Sequence, residues 1–163
     1  MIEIKHLDVR FGSKTVFHDF SLQIPKGQKL FILGKSGVGK SVLLKSIVGL
    51  MPQIGGQVRV DEVDVISATT SQLNQIRKKC GMIFQHPALL DSLNIYENVS
   101  FGVSSHGVFT DREKILSVVK EKLALVGLGP SILSSYPYEL SFGMQKRVSI
   151  ARALAVEPQY LLF

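Results

Sequence analysis

Eight consecutive residues, Gly34-Lys35-Ser36-Gly37-Val38-Gly39-Lys40-Ser41, constrain this chain more than any other feature. A short apolar run, Lys29 to Leu33, precedes them and reads as a strand. A helical pattern of Val42, Leu43, Leu44, Ile47 and Val48 follows, closed by Gly49. In that strand–loop–helix setting the pattern GxxxxGK[ST] is a phosphate grip. Glycines let the loop fold so that successive backbone N–H groups point inward at a polyphosphate. The helix N-terminus adds partial positive charge. Residues Gly34 through Val42 are therefore candidate contacts to ATP or another nucleoside triphosphate. Lys40 is suited to the β- and γ-phosphates, and the Ser41 hydroxyl to Mg²⁺.

Length and composition narrow the setting without naming a task. At 163 residues the chain is long enough for a sizeable core, and its 45% hydrophobic and 20% charged content is ordinary for a globular protein. No apolar run approaches the ~20 residues of a membrane-spanning helix, and the N-terminus lacks a signal-peptide layout. Cys80 is alone, so no internal disulfide is expected and a reducing cytosol suits it. The net charge of +6 is scattered, with Arg77-Lys78-Lys79 the one basic triple in a polar helical stretch, so no nucleic-acid partner is expected.

Residues Ile2 to Phe11 alternate apolar and polar side chains with period two, as a half-buried strand does. A turn at Gly12-Ser13-Lys14 and a second extended run, Thr15 to Ile24, predict an antiparallel pair. Gln57–Asp61 and Gly81–Gln85 read as further strands, Met51 to Gly56 as a loop and Gln72–Lys79 as a helix. Thr110-Asp111-Arg112-Glu113 reads as a capping box for a helix carrying Ile115, Leu116, Val119 and Leu123 and stopping at Gly127. A last helix begins at Ser141 with Met144, Val148, Ala151 and Ala155 at core spacing. Tyr160 to Phe163 begins another buried strand. Antiparallel strands first, then strands alternating with helices, predict a mixed α/β domain around a parallel sheet, with a helical stretch over about residues 86–157.

Many folds hold phosphate in this way, so a second motif decides among them. The segment Pro137-Tyr138-Glu139-Leu140-Ser141-Phe142-Gly143-Met144-Gln145-Lys146-Arg147 and its continuation Val148-Ser149-Ile150-Ala151-Arg152-Ala153-Leu154 resemble the signature of ATP-binding cassette (ABC) proteins. The resemblance spans the whole chain. It implies an ABC-type P-loop NTPase fold with residues 1–85 as ATP-binding core, 86–157 as helical subdomain and 158–163 as the start of the Walker B strand. It further implies that Phe11 stacks on adenine and that Gln85 reaches Mg²⁺ and the attacking water. Ser141, Gly143 and Met144 would face the triphosphate of a second ATPase subunit in a homodimer. Phe142 departs from the pattern, standing where the first signature glycine is expected, and a ring cannot match a glycine's close backbone approach.

A narrower likeness, carried by Gly39 to Lys45 with Val42 after the serine, by Phe84 to Val99 and by the Ser141–Met144 run, is to ATPases of Mla/Mce-type phospholipid transporters. It implies a cytoplasmic subunit, peripheral on the inner membrane face, that pairs with a permease and with a lipid-binding Mce-type partner. An importer for amino acids or another small solute is the alternative within the family. The family also implies an Asp and a Glu after the Tyr160–Phe163 strand, beyond Phe163, together with a later switch histidine. On that reading the 163-residue chain, whether a fragment or an inactive remnant, hydrolyses ATP no faster than a Lys40→Ala control. Glu97, Glu139 and Glu157 are expected in surface or capping roles.

Overall fold

The alternation of the first residues becomes strand β1 (Ile2–Phe11), which pairs antiparallel with β2 (Lys14–Ile24) as predicted. The computed structural model describes residues 1–51, 55–105 and 111–163. Their contacts fall into two compact units, Met1–Arg77 and Lys78–Phe163.

In the first unit, β1 also pairs antiparallel with β3 (Gly55–Val60), and β4 (Val63–Asp64) completes a sheet of order β2-β1-β3-β4. Ile2, Ile4, Leu7 and Val9 are buried, and the register shift between Ile4 and Leu7 explains the broken alternation. Helix α1 (Lys40–Ile47) buries Leu43, Ser46 and Ile47. Helix α2 (Thr70–Lys79) is tied to the end of α1 by Arg77, which donates to the carbonyls of Val48 at 3.1 Å and Gly49 at 3.0 Å. Those carbonyls lie where a helix leaves its acceptors without internal partners.

Lys29–Leu33 forms no strand: no strand among the described residues pairs with it, and Phe31 and Leu33 are 82% and 91% exposed. An apolar run becomes a strand only where a neighbour supplies the hydrogen-bond ladder. Gly55 and Gly56, expected in a loop, belong to β3.

The second unit holds a parallel pair, β5 (Cys80–Met82) and β6 (Tyr160–Leu162), extended by a bond from Ile83 N to Leu162 O at 2.8 Å. The expected strand 81–85 thus ends early. Gly81 permits the closeness of this pair, since a Cβ there would lie 2.8 Å from Pro158 Cγ and 3.1 Å from the Ala153 carbonyl oxygen. The rest is built from α3 (Ile95–Ser105), α4 (Arg112–Leu125) and α5 (Phe142–Ala155), with 3₁₀ turns at Pro130–Ile132 and Pro137–Glu139. Their core joins Ile95, Val99 and Val103 to Val119, Leu123 and Val148. Each fully buried aliphatic side chain of this size contributes about 1.5–3 kcal/mol. Thr110 lies outside the described residues. The start of α4 is capped by Asp111, whose carboxylate accepts from Glu113 N at 2.9 Å.

Candidate functional site

The phosphate-grip segment adopts the backbone its glycines allow. Gly37 and Gly39 have φ of 76° and 111°, values that L side chains rarely adopt. Gly39 is also sterically required, since a Cβ there would lie 2.6 Å from Val16 Cγ1 and 3.1 Å from Phe17 Cζ. Val16 and Phe17 of β2 therefore back the loop. The extended run Thr15 to Ile24 contains this pair, and nothing in the motif points to it.

Helix α1 begins at Gly39 with no side-chain cap and no acidic residue in its first turn. Its first N–H groups are left for an anion, as a helix start allows. Lys40 is half-buried, and its Nζ donates to the carbonyl oxygens of Gly34 at 2.7 Å and Lys35 at 2.9 Å. The ammonium thus lies within the loop it belongs to. Ser41 is exposed and Val42 half-buried on the first turn. Gly34, Ser36, Gly37 and Val38 form the exposed rim, with Val38 Cγ1 3.1 Å from where a Gly34 Cβ would stand. Phe11 ends β1 opposite Lys14, with its ring 43% exposed, on the same ribbon whose Val16 and Phe17 support Gly39. These donors suit a polyphosphate with its metal: several N–H groups, the Lys40 ammonium folded into the loop, the Ser41 hydroxyl and no acidic residue in the first turn of the helix.

The remaining predicted residues lie in the second unit. Gln85 sits in an exposed bend after β5. Ser141 is the N-cap of α5, its Oγ accepting from Met144 N at 3.3 Å. Gly143 is exposed with open space where a Cβ would stand, and Met144 is half-buried against the helical core. The loop between Gln85 and α3 is held from inside. Asn98, fully buried, accepts from Leu90 N and donates to the carbonyls of Leu90, Leu93 and Asn94 at 2.8–3.1 Å. Burial lowers the Arg152 guanidinium from its ordinary value, and its hydrogen bond to the Ala88 carbonyl compensates part of that cost. Glu97 and Glu139 cap, as expected, by accepting from Asn94 N and Tyr136 N.

A glycine-shaped loop with its own lysine folded inside it, opening an uncapped helix on a mixed α/β scaffold, defines a P-loop nucleotide-binding domain. The chain belongs to the ABC transporter family, whose defining pattern matches residues 17–163. It is 42% identical over 161 residues to the probable ribonucleotide transport ATP-binding protein mkl of Mycobacterium leprae (strain TN), covering 99% of this chain and 46% of that protein. It is 44% identical over 165 residues to the methionine import ATP-binding protein MetN of Carboxydothermus hydrogenoformans, covering 99% and 48%. The chain thus spans about half the length of the curated relatives it matches. Among solved structures it resembles a dimeric post-hydrolysis state of the ATP-binding cassette MJ0796 bound to ADP and Pi. The TM-score is 0.88 at 30% identity, covering 97% of this chain and 71% of that one.

Proposed function

We propose that this chain is the ATP-binding part of the subunit that powers an ABC transporter. The observation that carries the reading is the start of α1, uncapped at Gly39, with the Lys40 ammonium resting on the Gly34 and Lys35 carbonyls. On binding, Lys40 exchanges those carbonyls for phosphate oxygens, a stronger charge-assisted partner. Backbone N–H groups from Gly37 to Val42 complete the cradle. Ser41 and Gln85 are the residues that would hold Mg²⁺, which when bound supplies neutralisation of the phosphate charge. Phe11 offers a ring face to the base. Ser141, Gly143 and Met144 serve the nucleotide of a second copy, a reading supported by the dimeric state named for the resembling cassette.

The cargo we propose is a phospholipid, on the strength of the Val42, 84–99 and 141–144 resemblance. The partners are then a permease, met through the segment after Gln85 and the helical part, and a lipid-binding Mce-type protein. On that reading the subunit works in the cytoplasm on the inner membrane face. Import of an amino acid or similar solute is the second reading, supported by the name of the methionine relative. The test of the nucleotide reading is calorimetric titration of the chain with MgATP. Binding that disappears in Lys40→Ala supports it, and equal heats in both chains overturn it.

A further inference from the structure

Side chains of α5 fasten the segment that follows Gln85 at two points. At the first turn of α5 the Phe142 ring meets the His86 imidazole edge-on, with centroids 6.4 Å apart and planes at 66°. The Lys146 ammonium sits 4.8 Å from the centroid of the same ring. Farther along α5, Arg152 Nη1 donates to the Ala88 carbonyl at 2.9 Å, and Nη2 reaches the Pro87 carbonyl at 3.5 Å. Ala88 has φ of 49°, a left-handed conformation that a residue with a Cβ keeps only where its surroundings hold it. The ring of Phe142 remains 53% exposed, so burial in the core does not account for it. Glycine, the residue expected at this place in the signature, could touch neither His86 nor Lys146.

We propose that Phe142 is a positioning residue whose ring, gripped between His86 and Lys146, latches the segment after Gln85 to the first turn of α5. Arg152 holds the far end of the same segment. Cation–π and edge-to-face contacts supply the attraction. The inference rests on the reading of Gln85 and the start of α5 as parts of the nucleotide site. Movement of Gln85 is then transmitted through His86 and Phe142 to Ser141 and Gly143, a coupling that a glycine at this position would lack.

The latch is tested first on the 163-residue chain without nucleotide, by amide hydrogen exchange over residues 85–89 and by the ring-proton NMR signals of His86. Phe142→Leu keeps an apolar side chain without the ring, and Phe142→Tyr keeps the ring. In Phe142→Leu, exchange at 85–89 should quicken about three- to tenfold with α3 unchanged. The His86 signals should lose their ring-current displacement, and Phe142→Tyr should restore both. The proposal is overturned if Phe142→Leu leaves exchange and ring signals unaltered. It is also overturned if exchange rises equally through α3, which marks general loosening. With MgATP added, slowing of exchange at 85–89 should be weaker in Phe142→Leu than in the unaltered chain and Phe142→Tyr. Should MgATP bind none of the three, the nucleotide reading falls, while the exchange and ring signals still decide the latch.

Discussion

Among the described residues, helix α1 and the other four α-helices begin in opposite ways. Four starts are closed by side chains. Thr69 and Gln72 cap α2 reciprocally, Asn94 and Glu97 do the same for α3, and Asp111 and Ser141 cap α4 and α5. The start of α1 has no side-chain cap and a glycine at the cap position. A capped start satisfies its own N–H groups and gains about 1 kcal/mol for doing so. An uncapped one keeps its donors for something else. The contrast separates helices whose starts are closed by side chains from one whose first donors are left open, as the proposed nucleotide site requires.

The strongest way to break this comparison is Gly39→Ala. The new Cβ meets Val16 Cγ1 at 2.6 Å in a backbone held at φ 111°, so the loop must deform. MgATP affinity should fall on the order of a hundredfold or more, because the deformation misdirects several donors at once. Calorimetry gives the number. As the matching control, Thr69→Ala should cost about 1 kcal/mol of stability and leave affinity unchanged.

Next in size is Asn98→Ala in the second unit. It takes the amide away from Leu90 N and the Leu93 carbonyl, while the Leu90 and Asn94 carbonyls keep Leu93 N and Asn98 N, a loss of about 2 kcal/mol. Urea denaturation followed by circular dichroism measures it. A loss below about 1 kcal/mol would mean that water replaces the amide and that the loop is not held as described. Ser141→Ala removes the cap of α5 and should cost about 1 kcal/mol in the same assay. Ser141→Asp, which retains a capping oxygen, should recover most of that loss. Were Ser141→Ala neutral, the first turn of α5 would be as open as that of α1 and the comparison would weaken.

Legibility in the sequence followed the same division. The β1 alternation, the α1 glycine loop and the periodic cores of α4 and α5 were readable because local pattern and tertiary burial agree there. Helix α3 lies within the helical stretch expected over about residues 86–157, but its own bounds are not legible, although Asn94 and Glu97 spell a helix start. It buries Asn98 and Ser100 beside Ile95, Val99 and Val103, which blurs the apolar stripe. The run Lys29–Leu33 misled for the converse reason, since its composition suits a strand but pairing is a property of neighbours. Within the candidate site the loop residues were readable from spacing alone. The support of Gly39 by Val16 and Phe17, and the contact of His86 with Phe142, join chain segments far apart in sequence, whereas Lys146 meets Phe142 from one turn along the same helix.

The smallest expected effect lies in the β1–β2 ribbon and depends on pH. Asp8 holds His18 Nδ1 at 2.8 Å, and this hydrogen bond, more than any charge, keeps the Asp8 carboxyl below its ordinary value. A carboxylate depressed in the folded state adds stability above its unfolded pKa of about 4, and that stability is lost as pH falls through the lower folded value. The unaltered chain should therefore lose more stability than Asp8→Asn when urea midpoints are compared at pH 5 and pH 3. The difference should be small, because the His18 side chain is largely exposed and solvent screens the pair. Placed in a His18→Gln background, the Asp8→Asn substitution should no longer change the acid slope. If it still does, the backbone at Asp19 or Arg10 lowers Asp8 alongside His18, and the histidine is not the main cause.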